Sequence, residues 1–240
     1  MVVSAVVLDI EGTVASTGHV HHTLFPYSRQ RIAGWLAEHR DTPVAAQVLA
    51  QTRGLAERPD ATESEVADIL RRWIDEDVKA APLKTAQGEI WAEGYASGDL
   101  VSHVYPDVPE ALRSWVEAGL TLHIYSSGSA DAQRGWFAHT PHGDLTGLLS
   151  GYFDLTNAGP KREVDSYRRI GESIGLPGER VVFLSDIPAE LDAAVGAGWH
   201  AVGVRRPEER YQDLGTHPVV DDLRRLDLGG PRPAVRAATG

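Results

Sequence analysis

The sequence contains no cysteine, no long apolar run and no cluster of positive charge. Without cysteine there can be no disulfide, thiol nucleophile or thiolate metal site, so any metal must be held by oxygen or imidazole ligands. No apolar stretch reaches the length that crosses a bilayer, and the first residues lack the basic and apolar regions of a signal peptide. We therefore expect a cytoplasmic protein that does not bind membranes.

The charge balance is acidic, with 34 acidic against 23 basic residues and a formal net charge of -11. Such a balance opposes attraction to nucleic acid, so we expect no nucleic-acid partner. A small anionic substrate is still compatible, because a bound divalent ion and one lysine can reverse the local field inside a cleft. The 240 residues suffice for one substantial core domain with a smaller insertion, and we expect a monomer.

Short apolar runs alternate with helical patterns over much of the chain. The runs cover 2–9, 120–125, 180–184 and 200–204, with a shorter one at 152–155. The helical patterns cover 108–118, 130–139, 163–174 and 189–197. This alternation predicts an α/β fold, a Rossmann-like parallel sheet with helices on both faces. Ligands of such sheets bind beyond the carboxyl ends of the strands.

The segment from 14 to 98 departs from this alternation. It contains amphipathic stretches at 27–39, 63–78 and 85–96 and no convincing strand. We interpret it as an inserted all-helical cap domain. The predicted domains are an α/β core over 1–13 and 103–228, a cap over 14–102, and a flexible C-terminal tail over 229–240 with a Gly- and Pro-rich composition.

Aromatic and histidine side chains in the predicted cap have ordinary explanations. His19, His21 and His22 have no carboxylate or cysteine partner at a familiar metal-ligand spacing, so we interpret them as loop histidines. Trp73 and Trp91 fall on helical patterns, and we expect them to pack the inserted domain.

Asp9 and Glu11 lie where the first apolar run gives way to a turn that contains Gly12. In isolation, the pair fits a cap on the following turn as well as it fits catalysis. The second acidic site favours catalysis, because Asp186 follows the buried run at 180–184 in the same way. The ends of neighbouring parallel strands meet at one edge, where two carboxylates would suit Mg²⁺.

Two further features fall at predicted strand or helix ends. Ser126, Ser127 and Gly128 follow a strand and precede a helix, where hydroxyl and backbone N–H groups can hold a phosphate. Capping of that helix is the alternative explanation. Lys161 is one of only three lysines, and its compact ammonium can neutralise both an aspartate and a phosphate. A solvated loop lysine is the alternative there.

The order of these motifs, aspartate, serine, lysine and acid pair, resembles the haloacid dehalogenase superfamily. The details resemble its enolase-phosphatase branch, also called acireductone synthase, in which Glu11 stands where most hydrolases of the superfamily have a second aspartate. The stretches that carry the resemblance are LDIEGT at 8–13, LFPY at 24–27, QGEIW at 87–91, HVYPDV at 103–108, IYSSGS at 124–129 and LSDIPAELDAA at 184–194.

The resemblance implies a Mg²⁺-dependent enzyme of methionine salvage. Its substrate would be 2,3-diketo-5-methylthiopentyl-1-phosphate, which is first enolised and then dephosphorylated to 1,2-dihydroxy-3-keto-5-methylthiopentene. By motif match, Asp9 is the nucleophile and Glu11 the general acid/base. Asp9, Asp186 and the Glu11 carbonyl hold the metal, and Ser126, Ser127, Gly128 and Lys161 hold the phosphate. The helical cap would act as a lid that recognises the thioether tail.

Three other hypotheses are compatible with the same residues. The chain could hydrolyse another small phosphomonoester, such as a sugar phosphate. A dehalogenase fits less well, because its chemistry does not need the metal that Asp186 implies. A catalytically silent phosphometabolite-binding protein on this scaffold is the hypothesis from another functional class.

Overall fold

The computed structural model describes residues 2–229 and 233–236. Within them the chain forms two compact units. One takes the residues up to Thr17 and from Val101 onward, and the other is Gly18–Leu100. No helix of the described residues combines the length and the apolar character needed to cross a membrane.

A six-stranded parallel sheet forms the centre of the first unit. Its strands are β1 (Ala5–Leu8), β2 (Thr121–Tyr125), β3 (Gly151–Phe153), β4 (Val181–Ser185), β5 (His200–Val204) and β6 (Val219–Val220). Their order across the sheet is β3-β2-β1-β4-β5-β6. The predicted α/β class with a parallel sheet is confirmed, and β6 is an addition that the sequence did not indicate.

Strand β1 is fully buried, as its unbroken apolar run predicts. It lies between β2 and β4, with Leu8 paired to Ile124 on one side and to Leu184 on the other. The residues that follow these three positions therefore meet at one edge of the sheet, which is the edge where ligands bind in this class of fold.

Four helices connect the strands of this unit. They are α6 (Val108–Glu117), α7 (Ala130–Ala138), α8 (Val164–Ile174) and α9 (Pro188–Gly196). The four helical patterns read from the sequence are confirmed to within one residue at either end. Tyr167 and Ile170 on α8 and Leu191 on α9 pack into a core cluster with Val7 of β1 and Phe183 of β4. The strand ends that carry polar residues are thereby fixed by apolar packing beneath them.

A two-stranded antiparallel pair lies near the end of the chain. It joins β7 (Leu226–Asp227) to β8 (Ala234–Val235). Strand β8 falls inside the segment 229–240 that was predicted to be a flexible tail. The rest of that segment, residues 230–232 and 237–240, lies outside the described residues.

The second unit is helical. Its elements are the end of α1 (Thr17–His19), whose first residue belongs to the first unit, a π-helical turn (Val20–Leu24), α2 (Phe25–Glu38), α3 (Pro43–Leu55), α4 (Glu63–Asp75) and α5 (Ala81–Ser97). Ile32, Leu36, Leu70 and Ile90 are among the buried residues of its core cluster. A capping box starts α4, in which the Thr62 backbone N–H donates to the Glu65 carboxylate and the Glu65 N–H donates to the Thr62 hydroxyl.

Two sequence interpretations in this unit need correction. His19, His21 and His22 lie in helical turns and not in a loop, and the His21 ring packs edge-on against Phe25. Helix α3 was not predicted, because its buried positions are the small or polar residues Ala45 and Thr52 beside Val48, which give no strong apolar stripe. Trp73 and Trp91 pack within the unit as expected, and the Trp91 indole N–H donates to the Leu24 carbonyl at 3.0 Å.

Candidate active site

Asp9 directly follows β1 and begins a tight turn. Its backbone N–H donates to the Leu184 carbonyl of the neighbouring strand at 3.0 Å. Beyond it, the Ile10 carbonyl accepts the N–H groups of Thr13, Val14 and Ala15 at 3.2, 3.0 and 2.9 Å. The end of a buried strand and a compact turn thus fix the position of the Asp9 backbone.

Gly12 lets the Asp186 carboxylate lie directly against this turn. A Cβ atom at residue 12 would fall 2.3 Å from Asp186 Oδ2, and the Gly12 φ of +75° is one that L side chains rarely adopt. The Asp186 backbone N–H donates to the Thr13 hydroxyl at 3.0 Å. Asp9 and Asp186 therefore converge at adjacent strand ends, as the motif spacing indicates.

Lys161 forms the centre of a buried ion cluster. Its Nζ lies 2.5 Å from Asp9 Oδ1 and 2.7 Å from Glu190 Oε2, and all three residues are buried. Burial acts against the ammonium charge, but the carboxylates of Asp9 and Glu190 outweigh it and raise the pKa of Lys161 above its usual value. Lys161 is therefore an ammonium ion throughout the physiological pH range.

Glu190 was not assigned a site role from the sequence. It lies in the first turn of α9, and it also accepts a hydrogen bond from the Ser185 hydroxyl at 3.0 Å. The available signal was its place in the first turn of the helix that directly follows Asp186. The sequence does not show which face of that helix turns toward the strand ends.

The cluster contains more acidic than basic groups. Asp9, Asp186 and Glu190 supply three carboxyl groups against the one ammonium of Lys161. Burial, and then the charges of Asp9 and Glu190, raise the pKa of Asp186 to about 8. Asp186 Oδ1 is buried and has no hydrogen-bond partner among the described residues. A cation beside Asp186 would resolve both features, because it favours the ionised carboxylate and gives that oxygen a ligand bond.

The donor set suits a hard divalent cation that keeps water or substrate oxygens. The described residues include no group of three or more His, Asp or Glu side chains placed to enclose a metal. Mg²⁺ needs no such cage, since it is usually bound by one or two carboxylates together with waters or phosphate oxygens. Asp9 and Asp186 are such a pair.

The predicted phosphate-binding residues follow β2, the strand beside β1. Ser126 is buried, and its N–H donates to the Phe153 carbonyl at 3.1 Å, whereas Ser127 is exposed. At the start of α7, Ser129 accepts from the Ala132 N–H at 3.2 Å, as a helix cap does. The phosphate role of Ser126, Ser127 and Gly128 stays a prediction.

Glu11 lies two residues beyond Asp9 and is exposed. It forms a β-bridge with Ala15 across the turn. Asp9 and Glu11 thus share one short turn, in which Asp9 is buried and Glu11 is an exposed residue. The predicted roles of Glu11, proton transfer and a carbonyl ligand to the metal, stay predictions.

A second buried ion pair braces the same turn. Arg206 Nη1 donates to Asp107 Oδ1 and Oδ2 at 3.0 and 3.1 Å, and Arg206 Nε donates to the Thr13 carbonyl at 3.0 Å. Asp107 also accepts the Leu223 N–H at 2.7 Å, and the guanidinium lies 4.2 Å from the centre of the Tyr105 ring. Sequence reasoning missed this pair, whose members are far apart in the chain.

Comparisons with known proteins identify the family of this chain. The haloacid dehalogenase-like hydrolase family matches residues 3–198. A protein of Nocardia farcinica named enolase-phosphatase E1 is 55% identical over 225 residues, which cover 94% of this chain and 97% of that protein. A protein of Streptomyces avermitilis with the same name is 53% identical over 213 residues and 89% of each chain.

Solved structures extend the comparison. The crystal structure of the UTR4 protein of Saccharomyces cerevisiae has a TM-score of 0.77 and 33% identity, over 92% of this chain and 98% of that one. CbbY of Rhodobacter sphaeroides, solved with phosphate, is 18% identical with a TM-score of 0.59 over 93% and 95% of the two chains, which shows a shared fold. The chain belongs to the haloacid dehalogenase-like hydrolases and, within them, to the enolase-phosphatase E1 family.

Proposed function

We propose that this protein is the bifunctional enolase-phosphatase of methionine salvage. It converts 2,3-diketo-5-methylthiopentyl-1-phosphate to 1,2-dihydroxy-3-keto-5-methylthiopentene and phosphate. The family membership supports the substrate, and one structural observation supports the chemistry. Asp9, at the end of the central strand, is held by the Lys161 ammonium in a buried cluster of three carboxylates. We further propose that the enzyme is a cytoplasmic monomer.

Asp9 is the nucleophile in this proposal. One of its carboxylate oxygens attacks the phosphorus, and the bond from phosphorus to the substrate oxygen breaks. That oxygen takes a proton from Glu11 as it leaves, and an aspartyl-phosphate remains. Water then gives a proton back to Glu11 as it attacks the phosphorus, and the bond from phosphorus to Asp9 breaks, which releases phosphate and regenerates the Asp9 carboxylate. Lys161 holds the attacking carboxylate in one orientation and offsets negative charge on the transferring group.

The proposed cofactor is Mg²⁺, held by the carboxylates of Asp9 and Asp186 and by the backbone carbonyl of Glu11. The buried Asp186 Oδ1 without a partner among the described residues and its raised pKa support a cation at this position. The ion supplies charge neutralisation for the phosphate and for the two acids. Ser126, Ser127 and Gly128 bind the remaining phosphate oxygens in this proposal.

Glu11 is proposed to transfer the protons of the enolisation. That step removes a proton from the carbon next to a carbonyl and returns one to the carbonyl oxygen, so it needs a group that both accepts and donates. Glu11 is exposed beside the buried Asp9, so it can exchange protons with solvent and substrate. Positioned proton transfer of this kind contributes about 100- to 10,000-fold in rate.

The direct test incubates the purified protein with the diketo phosphate and Mg²⁺ and follows the enol and free phosphate separately. We expect the enol to form before phosphate is released. Asp9→Asn should lower phosphate release by at least about 10,000-fold, because the nucleophile is lost, and should leave enol formation measurable. Asp75→Asn is the matched control, since it makes the same change at an exposed acid of the helical unit.

Three outcomes would contradict parts of the proposal. Full phosphate release by Asp9→Asn would exclude Asp9 as the nucleophile. Phosphate release without an enol, or equal turnover of several small phosphomonoesters, would favour a phosphatase with another substrate. Binding of the diketo phosphate without any turnover would favour the silent binding protein.

A further inference from the structure

Three successive backbone carbonyls just before α8 each accept a hydrogen bond from a different side-chain hydroxyl. The pairs are Tyr125 with the Gly159 carbonyl at 2.8 Å, Ser166 with the Pro160 carbonyl at 2.8 Å and Tyr167 with the Lys161 carbonyl at 2.7 Å. We call Tyr125, Ser166 and Tyr167 the hydroxyl clamp. It holds the short segment 159–161 that ends at Lys161.

The hydroxyl clamp is built from rigid parts of the core. Tyr125 is the last residue of β2, Ser166 and Tyr167 lie in the first turn of α8, and all three are fully buried. The two tyrosine rings pack edge to face with centroids 5.6 Å apart, and the Tyr167 ring packs on Phe183 at 5.1 Å. Burial raises the pKa of both phenols, so each keeps its proton and donates it.

The clamped segment has little room to shift. Gly159 has a φ of +106°, and a Cβ there would fall 2.8 Å from the Ser166 hydroxyl and 3.1 Å from the Arg169 guanidinium. A residue with a side chain at 159 would therefore push the segment away from α8. The glycine and the hydroxyls together fix the main chain against that helix.

This rigidity fixes the main chain of Lys161. Its main chain is anchored through the carbonyl that Tyr167 holds, and its ammonium contacts Asp9 and Glu190 at the other end. The ammonium also lies 5.8 Å from the centre of the Tyr125 ring, so this residue both clamps the segment and faces the lysine charge. A free lysine side chain has four rotatable bonds and is costly to order.

We propose that Tyr125, Ser166 and Tyr167 are positioning residues of the phosphatase. Their hydroxyls fix the 159–161 segment so that the Lys161 ammonium stays between Asp9 and Glu190 and holds the nucleophile in its attacking orientation. The inference rests on the proposed function, because that function gives Asp9 and Lys161 their roles. A clamp that only stabilised the core would leave the Lys161 environment and the turnover unchanged.

The lysine content allows a direct readout of this environment. The sequence has three lysines, Lys79, Lys84 and Lys161, and the first two are exposed. Protein labelled with ¹³C and ¹⁵N only in lysine therefore gives three side-chain NMR signals. Loss of one signal in Lys161→Arg assigns the buried ammonium.

The main test variant is Tyr167→Phe, which keeps the ring and removes one clamp hydroxyl. We expect the Lys161 signal to shift or broaden, kcat to fall by about tenfold or more, and KM to change by less than about twofold. Tyr152→Phe is the matched control. Its hydroxyl is also shielded from solvent, and it has no hydrogen-bond partner among the described residues. This control should leave the Lys161 signal and kcat unchanged.

The clamp is refuted if the variants keep both the Lys161 signal and kcat and only unfold more easily. Should Tyr167→Phe fail to fold, Ser166→Ala removes the hydroxyl on the Pro160 carbonyl and is judged by the same two measurements. Failure of the proposed function looks different. The unmodified protein would then release no phosphate, while the Lys161 signal in the variants would still decide for or against the clamp.

Discussion

Among the residues that the structure describes, the core unit has two buried ion clusters that differ in charge balance. In one, Arg206 and Asp107 form a one-to-one pair, and Asp107 also accepts a backbone N–H from Leu223. In the other, the single Lys161 ammonium faces the carboxylates of Asp9 and Glu190, with Asp186 beside them. The first cluster is balanced in charge, although Arg206 Nη2 has no hydrogen-bond partner among the described residues, whereas the second sets three carboxyl groups beside one ammonium.

The difference separates electrostatics that hold the fold from electrostatics that bind a ligand. A balanced buried pair gains nothing from a further ion. An unbalanced cluster costs stability when no cation is bound, and that cost is what a divalent ion and a phosphate group can offset. We expect four effects of this difference, and urea unfolding measures each of them as a change in stability.

The largest effect is expected from Asp107→Asn in the balanced pair. The substitution leaves the Arg206 guanidinium buried without its counter-charge, so the free energy of unfolding should fall by about 3–5 kcal/mol. Urea unfolding without metal measures it. A loss below about 1 kcal/mol would mean that the pair does not brace the fold.

The next effect is stabilisation by Mg²⁺, which should occur at the unbalanced cluster alone. At about 100 times its Kd, the ion should raise the free energy of unfolding by about 2.7 kcal/mol. We expect Asp186→Asn to lose this gain, because it removes a ligand, and Asp107→Asn to keep it. An equal rise in the free energy of unfolding in both variants would mean that the ion binds elsewhere.

A smaller, pH-dependent effect is expected for Asp186→Asn in chelator. The folded-state pKa of Asp186 is raised to about 8, so its contribution to stability is present at low pH and is lost as the pH rises from about 4 to 8. The variant lacks this loss and should exceed the wild type by about 1–3 kcal/mol at pH 8, with the gap closing toward pH 4. A gap that persists at pH 4 would contradict this origin.

The smallest effect is expected from Arg29→Gln, which breaks an exposed pair. Arg29 and Asp75 form two hydrogen bonds at 2.7 and 2.9 Å, but their side chains are 47% and 50% exposed. Water and salt screen such pairs, so we expect no resolvable change in the urea midpoint. A clear fall in the urea midpoint of Arg29→Gln would mean that an ion pair stabilises this protein even when it is exposed, so burial would not be needed to explain the effect of Asp107→Asn.

The sequence predicted the strands and the acids at their ends well. Strand β1 and all of β4 before Ser185 are unbroken apolar runs, and a polar residue after such a run marks the edge of the sheet where ligands bind. Asp9 and Asp186 could be placed together for this reason, and Lys161 lies with them. Glu190 and the hydroxyl clamp could not be assigned, because their roles depend on which face of α8 or α9 turns toward the strand ends.

Other features carried too little local signal. Strand β6 has two residues, which is shorter than any periodic pattern can reveal. Helix α3 buries small side chains, which give no clear apolar stripe. The histidines just before α2 have polar side chains that are typical of loops, although they lie in helical turns. The Arg206–Asp107 pair joins residues 99 positions apart, and such contacts are set by the tertiary fold.

The pairing of β1 with β4 also sets an order for the assembly of the candidate site. During synthesis Asp9 leaves the ribosome 152 residues before Lys161, and the partners on β4 and α9 follow later still. Chains that stop just before β4 contain Asp9 and Lys161 but lack the strand that pairs with β1 and the carboxyl groups of Asp186 and Glu190. Under the proposed mechanism such unfinished products would be inert toward phosphate esters, and activity would wait until β4 and α9 have been made.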